Sequence, residues 1–161
     1  MKLMEIWVKA PQLRDSDLLV VGECVPTVAP NAFKSLSQNR VVLTACPEAE
    51  GNYPAGKLAS IIKASKPRSI TVLTVEGSPH CYTLHASVNE AVFITGAYDV
   101  EIRHYVVHEG RVYEVSSKAI RVARYLHLVE ELCRKFPEIE EKLSLYSLEH
   151  RFQKEALERG G

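Results

Sequence analysis

Three nearly continuous aliphatic runs constrain the fold of this chain more than any other feature. They cover residues 18–21, 41–45 and 70–75. Within them apolar residues follow one another without the polar alternation of a half-exposed strand, which is typical of strands buried on both faces of a parallel sheet. Because such a sheet must be covered by helices, the runs predict an open α/β sheet.

The remaining segments complete a single α/β domain over residues 1–161, with its core at about 17–115. The segments predicted as flanking helices are 32–37, 57–64 and 82–95. A β-hairpin is predicted after the third unit, with Gly110 at its turn. Two C-terminal helices follow over residues 117–158. We therefore expect an open, mostly parallel sheet of about five strands with flanking helices.

Each aliphatic run ends close to a cysteine that has a proline beside it. Cys24 follows the first run, Cys46 the second and Cys81 the third. Ligand sites in open α/β sheets lie beyond the carboxyl ends of the strands, so we expect the three thiols to converge there. Cys46 and Cys81 are expected on adjacent strands, since consecutive βαβ units usually neighbour. Cys133, inside a helical apolar stripe, is assigned to the core.

Three converging thiolates are typical ligands of zinc or of an iron–sulfur cluster. The first candidate for a fourth ligand is His80, which directly precedes Cys81. His85, one helical turn after Cys81, is either a second candidate or a histidine on the helix surface. No C-x-x-C motif occurs, so the spacing is not that of a zinc ribbon or a ferredoxin.

The same residues leave two other functions open. In the first, a thiol redox enzyme or sensor pairs two of the three cysteines reversibly, with His80 as proton acceptor. In the second, the cysteines are only packed, and the charged C-terminal helices hold a structural homodimer together. His104 and His108, on one face of the predicted hairpin, are assigned to its solvated surface.

The segment from Gly51 to Leu58 matches part of a phosphate-binding loop, but its chemistry is unfavourable. Leu58 stands where a serine or threonine would coordinate magnesium, and Pro54 removes a backbone N–H from a loop that binds phosphate through such groups. We therefore expect no nucleotide.

The charge balance narrows the choice of partners. Lysine plus arginine and aspartate plus glutamate each number 20, so no net charge attracts nucleic acid or an anionic membrane. No segment approaches the roughly 18 apolar residues of a membrane helix, and the N-terminus does not read as a signal peptide. We expect a cytoplasmic protein that works with a redox partner protein.

The cysteine-bearing segments also resemble a known group of proteins. DLLVVGECVP, VVLTACPE and GKLASIIKASKPRSITVLTVEGSPHC are similar to the C-terminal α/β domain of archaeal and clostridial ferredoxin-like iron–sulfur proteins. The best-matching positions are Cys24 with Pro26, Cys46 with Pro47, and Cys81. The ferredoxin cysteine runs themselves are missing, and His80–Cys81 stands where those proteins carry paired cysteines. The resemblance implies an iron–sulfur or redox association.

Overall fold

The computed structural model describes residues 1–51 and 53–159. The chain divides into two compact units, Met1–Ile120 and Arg121–Gly161. The strands of the first unit are β1 (Asp17–Gly22), β2 (Val41–Ala45), β3 (Ser69–Val75), β4 (Glu101–His108) and β5 (Arg111–Val115). Its helices are α1 (Val25–Val28), α2 (Pro30–Ser37), α3 (Pro47–Glu50), α4 (Ala55–Ser65) and α5 (Pro79–Thr95), and α6 (Ser117–Val122) begins in it.

In the described part of the chain, the five strands form one sheet in the order β2-β1-β3-β4-β5. Neighbouring strands are parallel except for the antiparallel hairpin of β4 and β5. The predicted open, mostly parallel α/β sheet with a hairpin after the third unit is therefore confirmed. The expectation that the strands of Cys46 and Cys81 adjoin is wrong, because β1 lies between β2 and β3. The chain passes beyond β1 after β2, and this reversal creates a topological switch point between β1 and β3.

The two faces of β1 pack against different helices. Leu18 and Val20 belong to a core cluster with apolar residues of α4 and α5. Leu19 and Val21 belong to a second cluster, with Val25 of α1 and residues of α2. Because successive side chains of a strand point to opposite faces, an uninterrupted aliphatic run is what a strand covered on both sides requires.

Prolines begin helices here rather than block them. Pro26, Pro30 and Pro47 lie in the first turns of α1, α2 and α3, where a missing N–H leaves no intrahelical bond unmade. The segment after Cys46 thus starts with a helical turn. Gly51 ends that turn in the left-handed conformation, with φ of 58°.

The second unit is helical, as predicted, but each of the two expected helices is interrupted once. Its helices are α7 (Leu126–Lys135), α8 (Glu138–Tyr146) and α9 (Leu148–Arg159). Tyr125 and Ser147 leave the helical conformation, with ψ of 87° and 112°. Every described residue of α7, α8 and α9 is at least partly exposed, so these helices are amphipathic without enclosing a core.

Candidate functional site

Three neighbouring parallel strands, β2, β1 and β3, deliver their cysteines to the same end of the sheet. Cys24 lies two residues beyond β1, and Cys46 directly follows β2. The last residues of these strands are in register, and the backbone N–H of Glu23 donates to the carbonyl of Ala45 at 3.1 Å. Cys81 lies in the first turn of α5, which follows β3, and its N–H donates to the Ser78 hydroxyl that caps the helix. Cys24 and Cys81 therefore flank the switch point, where ligands of open α/β sheets bind.

Gly22, the last residue of β1, lies against the Cys81 thiol. A Cβ atom at Gly22 would lie 3.9 Å from the Sγ of Cys81 and 4.0 Å from the Cα of Thr74. The end of β1, the end of β3 and the first turn of α5 thus meet at this point. A larger side chain at position 22 would occupy the space beside the thiol.

The Cys24 thiol interacts with both of the other site cysteines. Its pKa is raised above the ordinary value, first by loss of solvent around the thiol, then by the charge of Cys81 and, more weakly, by that of Cys46 and by hydrogen bonding with Cys81. The residue as a whole is exposed, whereas Cys46 and Cys81 are half-buried. Cys24 is therefore a protonated, solvent-accessible thiol at neutral pH with a second thiol beside it.

His80 is placed by its pairing with an acidic residue of α3. Its Nδ1 lies 3.8 Å from a carboxylate oxygen of Glu48, and both side chains are largely exposed. Among residues 1–51 and 53–159, no group of three His, Cys, Asp or Glu side chains is arranged to hold a metal ion. Cys133, on α7 of the second unit, is half-buried in a helix that has no buried residue, so its assignment to a core is wrong.

Two histidines are buried, although His104 was assigned to the surface and His85 was expected to be either a ligand or a surface residue. His85 is 3% exposed and His104 is 1% exposed. The Nε2 of His85 lies 2.8 Å from the Thr74 hydroxyl, and the Nδ1 atoms of the two rings lie 3.1 Å apart. The Nε2 of His104 lies 3.3 Å from the Asn89 side-chain oxygen and 3.2 Å from the Ser117 hydroxyl. Both nitrogens of His85 are thus engaged away from the thiols, so it is not available as a metal ligand.

Two sequence signals indicate this burial. His85 follows Cys81 by four residues and therefore shares its face of α5, the face turned to the sheet. His104 alternates with Val106 along β4, so it points to the same side as a buried valine. The prediction of a two-stranded hairpin at the surface missed the burial of His104, because β4 also pairs with β3.

The order Thr74, His85, His104 has the geometry of a nucleophile, a base and an orienting group. Two observations argue against that role. Thr74 is 1% exposed, so a substrate does not reach its hydroxyl. Burial also lowers the pKa of His85 to about 4, which makes it a weak base at neutral pH.

Lys57, the lysine of the segment from Gly51 to Leu58, has a structural role. The Nζ of Lys57 donates to the carbonyl oxygens of Met4 and Ile6 in the N-terminal segment. That segment also pairs with the sheet, since the N–H of Leu3 donates to the carbonyl of Thr44 at 2.8 Å. Through these two hydrogen bonds, Lys57 holds the N-terminal segment against α4.

Each helix in the described part of the chain is too short or too polar to span a membrane.

Comparisons with known proteins identify a family for the chain. No curated protein and no solved structure matches the chain. One family model, that of a Rossmann-like domain, matches residues 10–156. The match covers most of the chain and agrees with its parallel sheet and reversed strand order, so this chain belongs to the family of Rossmann-like domains.

Proposed function

We propose that this chain is a thiol redox protein in which Cys24 and Cys81 form a reversible disulfide. The observation that carries the proposal is the placement of the two cysteines at the switch point. Cys24 lies two residues beyond β1, and the Cys81 sulfur lies 3.9 Å from the position of a Cβ on Gly22, the last residue of β1. After burial, the charge of Cys81 is the next largest cause of the raised pKa of Cys24, and disulfide formation removes this repulsion together with both ionisable groups.

The reaction needs a disulfide as co-reactant, supplied by a partner protein or by a small molecule such as oxidised glutathione. The exposed Cys24 thiol first loses its proton, and the thiolate attacks one sulfur of the partner disulfide. The partner S–S bond breaks, its other sulfur leaves and takes up a proton to become a thiol, and a mixed disulfide remains on Cys24. The Cys81 sulfur then attacks the Cys24 sulfur, the mixed bond breaks and the second partner thiol leaves. Two electrons and two protons pass to the partner, so Cys24–Cys81 is oxidised and the partner disulfide is reduced.

Equilibration with defined ratios of reduced and oxidised glutathione tests this function. After acid quenching and alkylation, peptide mass spectrometry should detect a link between Cys24 and Cys81 that reappears after each cycle of reduction. Cys24→Ser should abolish the link, and Cys133→Ser is the matched control that should leave it unchanged. Persistent glutathione adducts on Cys24, without the internal link, would contradict the proposal.

We propose metal or iron–sulfur binding as the second candidate function, for electron transfer or metal handling. The specific observation in its favour is that Cys46, like Cys81, raises the pKa of the Cys24 thiol through its charge, so both other sulfurs lie within electrostatic reach of Cys24. His80 fits a fourth position, since the Nδ1 of a ligating histidine usually faces a carboxylate, as it does here with Glu48. The resemblance of residues 17–115 to a domain of ferredoxin-like iron–sulfur proteins supports the same candidate.

Anaerobic purification separates the two functions. A bound cluster or zinc ion should be detected by visible absorption or by metal analysis. Cys46→Ser should lower the metal content strongly, whereas Cys133→Ser should not. The disulfide function, in contrast, does not require Cys46, so an active Cys46→Ser protein without metal loss favours the dithiol.

We also propose that a second copy of the chain covers the apolar side of the C-terminal helices. Leu143 is 47% exposed and Phe152 is 64% exposed, in helices where every described residue is at least partly exposed. Light scattering after gel filtration should show a dimer that Phe152→Glu dissociates. Tyr98→Glu, at an exposed aromatic residue of the first unit, is the control that should remain dimeric.

A further inference from the structure

The buried hydrogen-bond chain Thr74–His85–His104 connects the site helix α5 to the sheet. Its bonds join β3 to α5 through Thr74 and His85, and α5 to β4 through His85 and His104. The chain continues through His104 to Asn89, further along α5, and to Ser117 at the start of α6. A side-chain network of this kind rigidifies the elements it joins when its groups are satisfied.

The donor and acceptor atoms of these side chains allow only one direction of donation along the hydrogen-bond network. The Asn89 side-chain nitrogen donates to the backbone carbonyl of Ser117 at 3.4 Å, so its oxygen is the atom that faces His104. An amide oxygen only accepts, which places the ring hydrogen of neutral His104 on Nε2 and leaves Nδ1 as an acceptor. His85 then donates from Nδ1, and its Nε2 accepts from the Thr74 hydroxyl. With this assignment, each of these hydrogen bonds has one donor and one acceptor while both rings stay neutral.

Thr74 links this network to the thiol site. Its side chain bonds to His85, whereas its Cα lies 4.0 Å from the point that a Cβ of Gly22 would occupy. The Cys81 sulfur lies 3.9 Å from the same point. Cys81 and His85 also share one face of α5, one helical turn apart, so a shift of the His85 turn shifts Cys81.

We propose that Thr74, His85 and His104 are positioning residues that hold the Cys81 thiol beside the end of β1. The inference deepens the proposed function, on which it rests, because a disulfide with Cys24 requires Cys81 to keep this place. None of the three residues touches a reacting sulfur in this scheme. They act by fixing the first two turns of α5 on β3 and β4.

The experiment compares two buried threonines of the same strand. Thr74 and Thr71 are 1% and 2% exposed, and only Thr74 bonds to His85. Thr74→Val deletes the hydroxyl that anchors the network, Thr74→Ser retains it, and Thr71→Val is the matched packing control. All are made in a chain with Cys24, Cys46 and Cys133 replaced by serine, and iodoacetamide alkylation of Cys81 is followed at a temperature where each variant is folded.

Thr74→Val should raise the alkylation rate of Cys81 about tenfold, the factor that corresponds to the loss of one buried hydrogen bond. Thr74→Ser should restore the parent rate, and Thr71→Val should stay within about twofold of it. Equal effects of Thr74→Val and Thr71→Val, or no effect of either, would overturn the proposal.

A second measurement separates this inference from the function on which it rests. In the chain with all cysteines intact, Thr74→Val should lower the equilibrium constant for Cys24–Cys81 disulfide formation against glutathione about tenfold. If the parent forms no disulfide, the proposed function fails but the alkylation experiment still tests the positioning. If the parent forms one and Thr74→Val leaves both measurements unchanged, only the positioning role fails.

Discussion

The Nδ1 atoms of His85 and His104 face each other at 3.1 Å in the interior of the first unit. Only one hydrogen fits between them, because two N–H groups at this distance would repel each other. The bonds of the outer nitrogens to Thr74 and Asn89 place that hydrogen on His85. The pair therefore holds its two rings in different tautomers.

We predict that nitrogen NMR detects these tautomers directly. At neutral pH, His85 should carry its ring hydrogen on Nδ1, and His104 should carry its ring hydrogen on Nε2. His127, an exposed histidine outside this network, is the control and should not be held in a single tautomer. A signal for Nε2–H at His85 would contradict the direction assigned to the chain.

We predict that the free energy of unfolding falls as the pH is lowered from about 6.5 to about 4. The pKa of His85 is lowered by burial to about 4 in the folded chain, so in this window the unfolded chain binds a proton that the folded chain excludes. The stability is fully present above the unfolded pKa, and the loss amounts to about 3 kcal/mol. Urea unfolding at a series of pH values measures it. His85→Gln should remove most of the slope, and His127→Gln should retain it.

We predict that Cys24 alkylates slowly at pH 8 and that Cys81→Ser accelerates the reaction. The charge and hydrogen bonding of Cys81 contribute to the raised pKa of Cys24, so their removal increases the thiolate fraction at a given pH. Mass spectrometry of timed iodoacetamide reactions between pH 7 and 10 measures the change. Cys133→Ser should leave the profile of Cys24 in place, and a profile unchanged by Cys81→Ser would contradict the interaction.

We predict that position 22 tolerates alanine but not leucine. An added Cβ meets the Val25 side chain at 3.6 Å and the Cys81 sulfur at 3.9 Å, both ordinary contact distances. Gly22→Ala should therefore change the unfolding free energy by less than about 1 kcal/mol, whereas Gly22→Leu should cost about 1–3 kcal/mol and block disulfide formation. Gly56→Ala, in α4 with nothing within 4 Å of the added atom, is the control and should be neutral or stabilising.

We predict that Lys57→Met lowers stability by about 1.5–3 kcal/mol, since it removes a charged donor from two backbone carbonyls. Loss of these hydrogen bonds should release the N-terminal segment from α4, and limited proteolysis near Met4 should detect the release. Lys63→Met, at an exposed position of the same helix, should change neither measurement appreciably. Equal stability of the two variants would contradict the fastening role of Lys57.

The strands were predictable from sequence because burial on two faces demands an uninterrupted aliphatic run. The strand order was not predictable, because the aliphatic runs of β1 and β3 contain no information about which strands are adjacent in the sheet. The short helices α1 and α3 were not predicted, because a proline such as Pro26 or Pro47 is compatible both with a break in regular structure and with a first helical turn. Strand ends thus indicated the edge at which Cys24, Cys46 and Cys81 lie, but not which of them interact.

The pairing of His85 with His104 was not predicted, for a different reason. His85 and His104 are separated by the end of α5 and the loop before β4, and their pairing depends on the packing of that helix on that strand. A lone histidine in a helix or strand carries no sign of its partner. Only the spacing from Cys81 and the alternation with Val106 pointed inward, and both signals are weak without the sheet.

The interior place of β1 has a consequence for how the protein is made. Of the five strands described, β1 is synthesised first, yet it lies inside the sheet, and both of its neighbours, β2 and β3, are synthesised after it. Cys24 and Cys46 are therefore both available before Cys81 exists. During synthesis, Cys24 can thus meet Cys46 before it can meet Cys81.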